Sequence, residues 1–307
     1  MKAISAVNGT LQDVELPRPE PRPHDLIVKV EAISVNPVDT KVRKGTDASG
    51  RVLGWDVAGT VEAVGSAVSL FKPGDAVWYA GSLVRPGANS EYHAVDERIV
   101  GRKPASLGVE QAAALPLTAI TAWEALFERL GIDRNGAHAN KRILIIGGAG
   151  GVGSIAIQMA SKLARLEVIA TASRQESADW CRDLGATHII DHTGDLHAQL
   201  KALDIPAVDY ILCLNSTDQH FAAMVEAVAP QGKICSIVEA KQPLAVDTLF
   251  RKSATLVFEL MFTRSMFGTA DMVEQHKLLT EVARLIDEGV LRTTVNEVSG
   301  GINAANL

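Results

Sequence analysis

A glycine-rich turn between a buried strand and a helix constrains this chain more than any other feature. Residues 143–146 are all Ile or Leu, and the spacing G-x-G-x-x-G follows at Gly148, Gly150 and Gly153. These glycines permit a tight turn, close approach of the backbone to a pyrophosphate, and close packing of the next helix. The free amides and the positive end of that helix favour phosphate. The predicted phosphate-binding residues are Gly148, Ala149, Gly150, Gly151, Val152 and Gly153.

Apolar runs alternate with amphipathic segments through the second half of the chain. Strands are predicted at Ile143–Ile146, Glu167–Thr171 and Val208–Leu214, and a helix after the glycine turn at Gly153–Ala164. Such β-α-β alternation is typical of a parallel, doubly wound sheet, and strands that are apolar throughout fit burial on both faces. Thr255–Phe262 is predicted as the last strand of this sheet.

The first hundred residues contain short apolar segments between Gly and Pro turns. Leu26–Ile33 and Val57–Val64 are dense in branched residues, and Ala76–Tyr79 follows a Pro-Gly-Asp turn. This pattern predicts a small, barrel-like β domain. With 307 residues, the chain has room for about two domains. Near its end, Asp271–Gly289 predicts an amphipathic helix with Asp271 as its N-cap.

The residues after the strand Glu167–Thr171 indicate which dinucleotide binds. An NAD-binding unit carries an Asp or Glu for the ribose 2′-hydroxyl about 20 residues beyond the last glycine. Here Ser173 and Arg174 stand there, a hydroxyl donor and a planar cation that suit a 2′-phosphate. The sequence therefore favours NADPH, with the alternative that Arg174 is only a solvated residue at a helix start. Asn215, at the tip of the strand Val208–Leu214, is a further candidate for cofactor binding.

Charge and cysteine content narrow the classes of partner and compartment. The net charge is −6 and no run of five basic residues occurs, so nucleic-acid binding is unsupported. Three widely spaced cysteines, Cys181, Cys213 and Cys235, predict reduced thiols in the cytoplasm rather than a disulfide framework. No uninterrupted apolar stretch reaches about 18 residues, so no membrane span is predicted.

Three segments resemble the medium-chain dehydrogenase/reductase superfamily. Gly54–Gly65 and Phe71–Val77 resemble its GroES-like domain, and Ala113–Trp123 resembles the segment that enters its nucleotide domain. With the glycine turn, the resemblance covers essentially the whole chain. It is greatest to the zinc-free, quinone-oxidoreductase-like branch, often labelled zinc-type alcohol dehydrogenase-like. The resemblance implies an α/β fold, with a Rossmann doubly wound parallel sheet domain plus a GroES-like β-barrel catalytic domain.

The resemblance also implies domain limits and an assembly. Residues 1–118 are expected to form the GroES-like catalytic domain, 119–264 the Rossmann NADP-binding domain, and 265–307 a return segment to the catalytic domain. In relatives the segment similar to Gly301–Leu307 leads into a further helix and strand, so the return segment is expected to be truncated. A homodimer or homotetramer is expected, with Thr255–Phe262 as the contacting sheet edge.

The zinc ligands of the metal-dependent relatives have no counterparts in this sequence. Asn36 stands at the position of their catalytic Cys, while Trp55 and Asp56 stand at the positions of their His and Glu. A carboxamide and an indole do not make a zinc site. We therefore expect no catalytic zinc. Without a Lewis acid, hydride transfer to a quinone or an α,β-unsaturated carbonyl is favoured, because the resulting enolate needs only modest stabilisation.

The resemblance places the predicted catalytic residues in the barrel domain. Asn36 and Asp39 are expected at the substrate cleft, and Trp55 in the pocket wall. Tyr79 is the candidate proton or hydrogen-bond donor to the substrate carbonyl, with a wall position as the alternative, and Asp39 has a structural capping role as its alternative. Thr118 is expected at the nicotinamide end of the cofactor. Alternative functions are another zinc-free alcohol or carbonyl oxidoreductase, and an NADPH-binding sensor or structural protein without turnover.

Overall fold

The computed structural model describes residues 1–47 and 49–307. They divide into two compact units, one formed by residues 1–120 with 261–307 and the other by residues 121–260. No helix within the described ranges is both long enough and apolar enough to cross a membrane.

Strands and helices account for most of both units. The strands are β1 Lys2–Val7, β2 Thr10–Glu15, β3 Asp25–Ser34, β4 Arg51–Val52, β5 Asp56–Val64, β6 Ala76–Ala80, β7 Tyr92–Asp96, β8 Val100–Arg102, β9 Arg142–Ile146, β10 Glu167–Thr171, β11 His188–Ile190, β12 Val208–Cys213, β13 Val228–Ser236 and β14 Thr255–Phe258. The α-helices are α1 Pro37–Arg43, α2 Val109–Ala113, α3 Pro116–Trp123, α4 Gly151–Gln158, α5 Gln175–Leu184, α6 Leu196–Ala202, α7 Thr217–Ala227, α8 Thr263–Phe267 and α9 Val273–Asp287. Turns of π-helix continue α3 over Glu124–Arg129 and α4 over Met159–Leu163.

The unit of residues 1–120 and 261–307 is built on two antiparallel sheets. One has the strand order β7-β3-β5-β6-β8 and the other the order β2-β1-β4, with a bridge from Ala3 of β1 to Ser90. Every second residue of a strand points to the same face, and the apolar side chains that point inward fill the interior of this unit. Trp55, Trp78 and Tyr79 are fully buried there. The strands predicted in the first hundred residues are confirmed.

A close approach between β3 and β5 shapes the part of this unit that carries the polar site. A Cβ at Gly59 of β5 would lie 2.2 Å from the carbonyl oxygen of Lys29, so only glycine fits there. The pairing register of the two strands shifts between Val30 and Ala32. Such an irregularity bends the strand. The bent β3 ends at Ser34, whose hydroxyl reaches the first residue of β5.

Helix α9 packs closely against β8. A Cβ at Gly101 would lie 2.4 Å from the Cβ of Leu279, so the helix approaches the strand backbone where no side chain intervenes. Met272 occupies the N-cap position of this helix, and the prediction of Asp271 as its N-cap is therefore wrong. The Asp271 carboxylate instead accepts hydrogen bonds of 3.0 and 3.1 Å from the Arg264 guanidinium, a charged partner that competes successfully with the helix amides.

The unit of residues 121–260 contains one sheet of parallel strands in the order β11-β10-β9-β12-β13-β14. Ile145 of β9 pairs with Ala170 of β10 on one side and with Leu212 of β12 on the other. All three residues are fully buried. Parallel strands with helical crossovers are covered on both faces, which explains why these segments are apolar throughout. The predicted parallel, doubly wound sheet is confirmed.

Two elements of this unit have other limits than predicted. Helix α4 begins at Gly151, earlier than expected, because Gly150 already holds the N-cap position with an extended backbone (φ −74°, ψ 172°). Strand β14 ends at Phe258, earlier than expected. Beyond it the carboxylate of Glu259 pairs with Arg129 at 2.7 Å, and the chain then leaves for the other unit.

Candidate functional site

The strand order of the parallel sheet changes direction between β9 and β12. Ligands of doubly wound sheets bind at the carboxyl ends of the strands at such a point. Gly147 follows β9 directly, and Leu214 follows β12 and donates its N–H to the carbonyl of Ile146 at 3.1 Å. A Cβ at Gly147 would lie 2.9 Å from Nδ2 of Asn215. The glycine turn and the predicted Asn215 are therefore neighbours at this point.

The end of strand β10 is hydrogen bonded to the glycine turn. The N–H of Gly147 donates to Oγ1 of Thr171 at 2.9 Å, and the N–H of Gly148 donates to the Thr171 carbonyl at 3.2 Å. Gly147 has a φ of +89°, a left-handed conformation that glycine adopts without strain. The start of the turn is thus fixed to the end of the neighbouring strand.

The glycines of the motif have different steric surroundings. A Cβ at Gly153 would lie 2.4 Å from the carbonyl oxygen of Gly147, and one at Gly148 would lie 2.8 Å from the Cβ of Ala170. No side chain fits at these two positions. At Gly150 the nearest atom would be 3.4 Å away. This position is open, as close approach of a pyrophosphate requires.

The first turn of α4 supplies hydrogen-bond donors beside that open position. The amides of Gly151, Val152 and Gly153 belong to the first turn, whose N–H groups have no carbonyl partner within an α-helix. Gly151 is exposed and Val152 is half-buried. These amides and the helix dipole favour a phosphate at this end of the helix.

Ser173 and Arg174 follow β10 at the same edge of the sheet. Both are exposed. Arg174 has an extended backbone at the N-cap position of α5, and its Nη2 lies 3.4 Å from Oγ of Ser177. Thr171, at the end of β10, contacts the glycine turn directly. The hydroxyl of Ser173 and the guanidinium of Arg174 follow Thr171 by two and three residues along the chain.

Within the unit of residues 121–260 the predicted cofactor residues lie together. The residues that follow β9, β10 and β12 all lie at the carboxyl ends of the strands, and they include Gly148–Gly153, Ser173, Arg174 and Asn215. Asn215 is exposed. Thr118 belongs to the other unit. It is buried, and its hydroxyl donates to the carbonyl of Leu115 at 2.9 Å.

A buried polar cluster lies where β3, α1 and β5 meet in the unit of residues 1–120 and 261–307, which we call the barrel unit. Oδ2 of Asp56 accepts from Nδ2 of Asn36 at 2.7 Å and from Oγ of Ser34 at 3.1 Å. Its Oδ1 accepts from the N–H of Leu117 at 2.7 Å. The N–H of Asn36 donates to Oδ2 of Asp39 at 2.8 Å, where Asp39 caps the start of α1. The predicted Asn36 and Asp39 are thus brought together around Asp56.

The two carboxylates of this cluster titrate far from the usual range of aspartate. Burial raises the pKa of Asp56 to about 7, although hydrogen bonds from Asn36, Leu117 and Ser34 lower it. The charge of Asp39 raises it further. Burial also raises the pKa of Asp39 to about 6, against the lowering effect of the Asn36 amide. Both groups therefore change charge close to neutral pH.

A linear chain of hydrogen bonds links Tyr79 to His93, and His93 to the Pro86 carbonyl, inside the same unit. The Tyr79 hydroxyl lies 2.9 Å from Nδ1 of His93, and Nε2 of His93 lies 3.0 Å from the Pro86 carbonyl. A carbonyl only accepts, so Nε2 carries the proton and Nδ1 accepts from Tyr79. Burial raises the pKa of Tyr79 well above its usual range and lowers that of His93 to about 4. Proton donation from Tyr79 to a substrate would require this pair to open.

Trp55 lies in the buried interior of the same unit. It is fully buried, and its Nε1 donates to the Ser82 carbonyl at 3.1 Å. Its ring meets that of Phe262 edge-on, with 6.0 Å between centroids. Its indole N–H is already satisfied, so the residue contributes an apolar surface.

Sequence reasoning did not assign a role to Thr171 or His93, and it treated Asp56 only as a replaced zinc ligand. A signal for Thr171 existed, since it is the polar residue that directly follows the apolar run Val168–Ala170. No local pattern around His93 identifies its partners. Tyr79 is 14 residues away in the chain and meets His93 only because β6 and β7 belong to the same folded unit.

Comparisons with known proteins identify the family. Residues 22–109 match the model of the alcohol dehydrogenase GroES-like domain, and residues 151–281 match that of the zinc-binding dehydrogenases. The chain belongs to the medium-chain dehydrogenase/reductase superfamily of oxidoreductases, in its quinone-oxidoreductase-like branch. The predicted combination of a Rossmann sheet and a GroES-like domain is confirmed.

Individual relatives cover nearly the whole chain. A zinc-type alcohol dehydrogenase-like protein from Staphylococcus aureus is 44% identical over 309 residues, which cover 100% of this chain and 92% of the relative. A solved structure from Rhizobium etli CFN 42, provisionally described as a zinc-dependent alcohol dehydrogenase protein, is 51% identical with a TM-score of 0.95, covering 100% and 92% of the two chains. The Escherichia coli quinone oxidoreductase in complex with NADPH is 26% identical with a TM-score of 0.80, covering 97% and 91%.

Proposed function

We propose that this protein is an NADPH-dependent reductase that delivers hydride to quinones or α,β-unsaturated carbonyls without a catalytic metal. One observation carries the proposal. The glycine turn is hydrogen bonded to Thr171, and the exposed Ser173 and Arg174 follow at the same sheet edge. This juxtaposition supplies amides for a pyrophosphate and a cation for a further phosphate group.

The charge at that edge supports NADPH over NADH. A guanidinium and a hydroxyl can both donate to a 2′-phosphate, whereas an Asp at this place would repel it. Both Ser173 and Arg174 are exposed and thus open to a ligand. The Escherichia coli quinone oxidoreductase, a member of the same branch, has a structure in complex with NADPH.

The donor set at the position of the family's zinc site supports chemistry without zinc. Nε1 of Trp55 donates a hydrogen bond and has no lone pair for a cation. The Asp56 carboxylate already accepts three hydrogen bonds. Across residues 1–47 and 49–307, no group of three or more His, Cys, Asp or Glu side chains could hold a metal ion. These residues do not fit zinc, and no step of the proposed reaction uses it.

The barrel unit has a defined part in this reaction. Bound NADPH supplies a hydride to the β-carbon of an enone, or to a quinone, and a proton completes the reduction. The acceptor oxygen carries the developing negative charge, which a positioned hydrogen-bond donor stabilises. Asn36 is our candidate donor, because Nδ2 has a second hydrogen besides the one that binds Asp56. A low effective dielectric constant strengthens such a bond.

A binding titration followed by an acceptor screen tests this function. We expect NADPH to bind at least about tenfold more tightly than NADH, and we expect 1,4-benzoquinone or 2-cyclohexenone to be consumed with NADPH. Oxidation of simple alcohols, with no reduction of these acceptors, would favour the alcohol oxidoreductase alternative. Tight NADPH binding without consumption of any acceptor would favour a sensor. Equal affinity for both cofactors would contradict the role given to Arg174.

We also infer that two copies associate through the β14 edge of the parallel sheet. Strand β14 is the last strand in the sheet order, so among the described residues one of its edges pairs with no other strand of this sheet. Phe258 is 55% exposed, and nearby in the chain Phe250 is 85% and Leu260 is 48% exposed. An open strand edge with large exposed apolar side chains favours pairing with another strand. A second copy offers the same edge, and antiparallel pairing of two such edges satisfies both.

A further inference from the structure

The buried carboxylate of Asp56 joins three parts of the barrel unit at one point. It accepts from Asn36 and Ser34 at the end of β3, and from the backbone of Leu117 in α3. All three partners are neutral donors. We propose that Asp56 is a positioning residue that orients the Asn36 carboxamide toward the acceptor. This inference rests on the proposed function above and adds a residue to its machinery.

The orientation of the carboxamide follows from the chemistry of its partner. Above its pKa of about 7 the Asp56 carboxylate is ionised and only accepts hydrogen bonds, so in that state the atom of Asn36 that faces it is Nδ2 and not Oδ1. The distance of 2.7 Å is short for an N–H···O bond, as expected for a charged acceptor. The backbone N–H of Asn36 is held by Asp39 at 2.8 Å. Asn36 is therefore fixed through both its backbone and its side chain. The second hydrogen of Nδ2 consequently points in a single, fixed direction, away from Asp56.

The third hydrogen bond ties this side chain to the segment expected beside the nicotinamide. Leu117 directly precedes Thr118, and its N–H lies 2.7 Å from Oδ1 of Asp56. One carboxylate thus sets the position of Asn36 relative to Thr118, both within the same unit. Small displacements between reacting groups lower rates strongly, so a fixed distance between these residues has a catalytic use.

Burial makes this arrangement costly, which argues for more than a packing role. Asp56 has an exposed fraction of 0%. A buried carboxylate loses its hydration, and a neutral side chain of similar size could connect the same segments at lower cost. Burial also raises the pKa of Asp56 to about 7, and the charge of Asp39 in α1 raises it further. A proton on Asp56 would turn one acceptor atom into a donor and release the orientation of Asn36.

A double-mutant cycle separates positioning from a general structural effect. The variants Asp56→Asn, Asn36→Ala and their combination are compared in NADPH-dependent reduction of 1,4-benzoquinone or 2-cyclohexenone. We expect each single variant to lower kcat/KM for the acceptor about 100-fold, the effect of losing one stabilising donor. The combination should fall no more than about threefold below either one, because the two residues act as a unit. The Kd of NADPH should not change.

A matched control removes a different carboxylate from the same unit. Asp96 pairs with Arg98 at 2.7 Å and belongs to β7. We expect Asp96→Asn to keep kcat/KM within about threefold of the wild type. Losses that multiply to about 10⁴-fold in the combined variant would overturn the proposal, as would full activity of Asp56→Asn.

A second measurement is independent of turnover and of the folding of any Asp56 variant. In protein labelled with ¹⁵N-asparagine, the side-chain NH₂ signals of Asn36 are those that disappear in Asn36→Ala. In the wild type we expect these signals to shift with an apparent pKa of about 7. In Asp39→Asn they should still shift, but at a lower pH, because the charge of Asp39 no longer raises the pKa of Asp56. Signals that stay constant across this range would refute the contact. If the wild type reduces no acceptor, the proposed function fails and this titration alone decides whether Asp56 orients Asn36.

Discussion

The N–H of Gly147 donates to the hydroxyl of Thr171 across 2.9 Å, and this bond fixes the glycine turn to the neighbouring strand. Gly148 donates to the carbonyl of the same residue at 3.2 Å. Ser173 and Arg174 follow Thr171 in the chain. A single strand end therefore places both the amides of the turn and the cation proposed for the 2′-phosphate.

Replacing Thr171 by Val should loosen the turn. The variant keeps the shape of the side chain but leaves the partly buried N–H of Gly147 without its acceptor, which costs about 1–3 kcal/mol of unfolding free energy. We expect NADPH and NADH to lose affinity by the same factor, because the turn serves the part common to both. Urea unfolding and fluorescence titration measure these effects. Thr171→Ser keeps the oxygen and should bind both cofactors nearly as the wild type does.

Replacing Arg174 by Gln should change cofactor preference rather than stability. Arg174 is exposed and has one distant contact, with Ser177 at 3.4 Å, so its loss leaves the fold unchanged. A charge-assisted bond to a phosphate contributes enough that the Kd of NADPH should rise about 10- to 100-fold, with the Kd of NADH unchanged. Arg182→Gln, an exposed arginine on the same helix paired with Asp179, should alter neither value. A parallel loss of NADH affinity would count against the 2′-phosphate assignment.

Alanine substitutions at two glycines of the turn should have different effects, one on stability and the other on NADPH binding. Gly153→Ala would place a Cβ 2.4 Å from the carbonyl oxygen of Gly147, so the helix must move and the unfolding free energy should fall by about 1–3 kcal/mol. Gly150→Ala meets its nearest atom at 3.4 Å and should fold normally. It should nevertheless weaken NADPH binding, since the added methyl group occupies the open side of the turn. Thermal unfolding with and without NADPH distinguishes the two variants, and equal destabilisation by both would contradict these assignments.

The buried His93 should make stability depend on pH. Burial lowers its pKa to about 4, although the hydrogen bond to the Pro86 carbonyl raises it, whereas the unfolded chain has a pKa of 6.5. The unfolded state therefore binds the proton first, so this contribution to stability is complete above pH 6.5 and is lost as the pH falls toward 4.

His93→Gln tests this dependence, because Gln can accept from Tyr79 and donate to Pro86 without titrating. The free energy of unfolding is measured by urea at about pH 7.5 and about pH 5. We expect the advantage of the wild type over the variant to shrink by about 2 kcal/mol at the lower pH. Titration of Asp39 and Asp56 is common to both proteins and cancels in the difference. An advantage that is independent of pH would show that His93 is protonated in the folded protein.

Charge at the β14 edge should prevent the proposed association. Phe258→Asp places a carboxylate on the open strand, where a second copy would bring an identical charge close to it. We expect light scattering to give the mass of two or more chains for the wild type and of one chain for the variant. Val84→Asp, at a 61% exposed apolar residue of the barrel unit, is the matched control and should leave the mass unchanged. A wild type with the mass of one chain would refute the association.

Local pattern was enough to predict the parallel sheet and the glycine turn between β9 and α4. The run of Ile and Leu before Gly147 is apolar because β9 is covered on both faces, and the three glycines stand where the turn and the helix need them. These requirements act between residues near in sequence, so spacing alone carries them. Limits of elements were less accurate, as the start of α4 and the N-cap of α9 show. A helix end depends on which groups compete for its amides, and Arg264 takes the Asp271 carboxylate from that role.

The amino-acid sequence by itself determined the alternation of strands and helices, the glycine turn after the strand Ile143–Ile146, and the cation that follows β10. Each of these depends on residues only a few positions apart. Tertiary structure alone decided that Asp56 meets Asn36, 20 residues away, and Leu117, 61 residues away, in one buried cluster. It also decided that Tyr79 directs its proton to His93. A buried carboxylate or phenol takes its partners and its pKa from whatever the fold packs around it, and no local spacing records those neighbours.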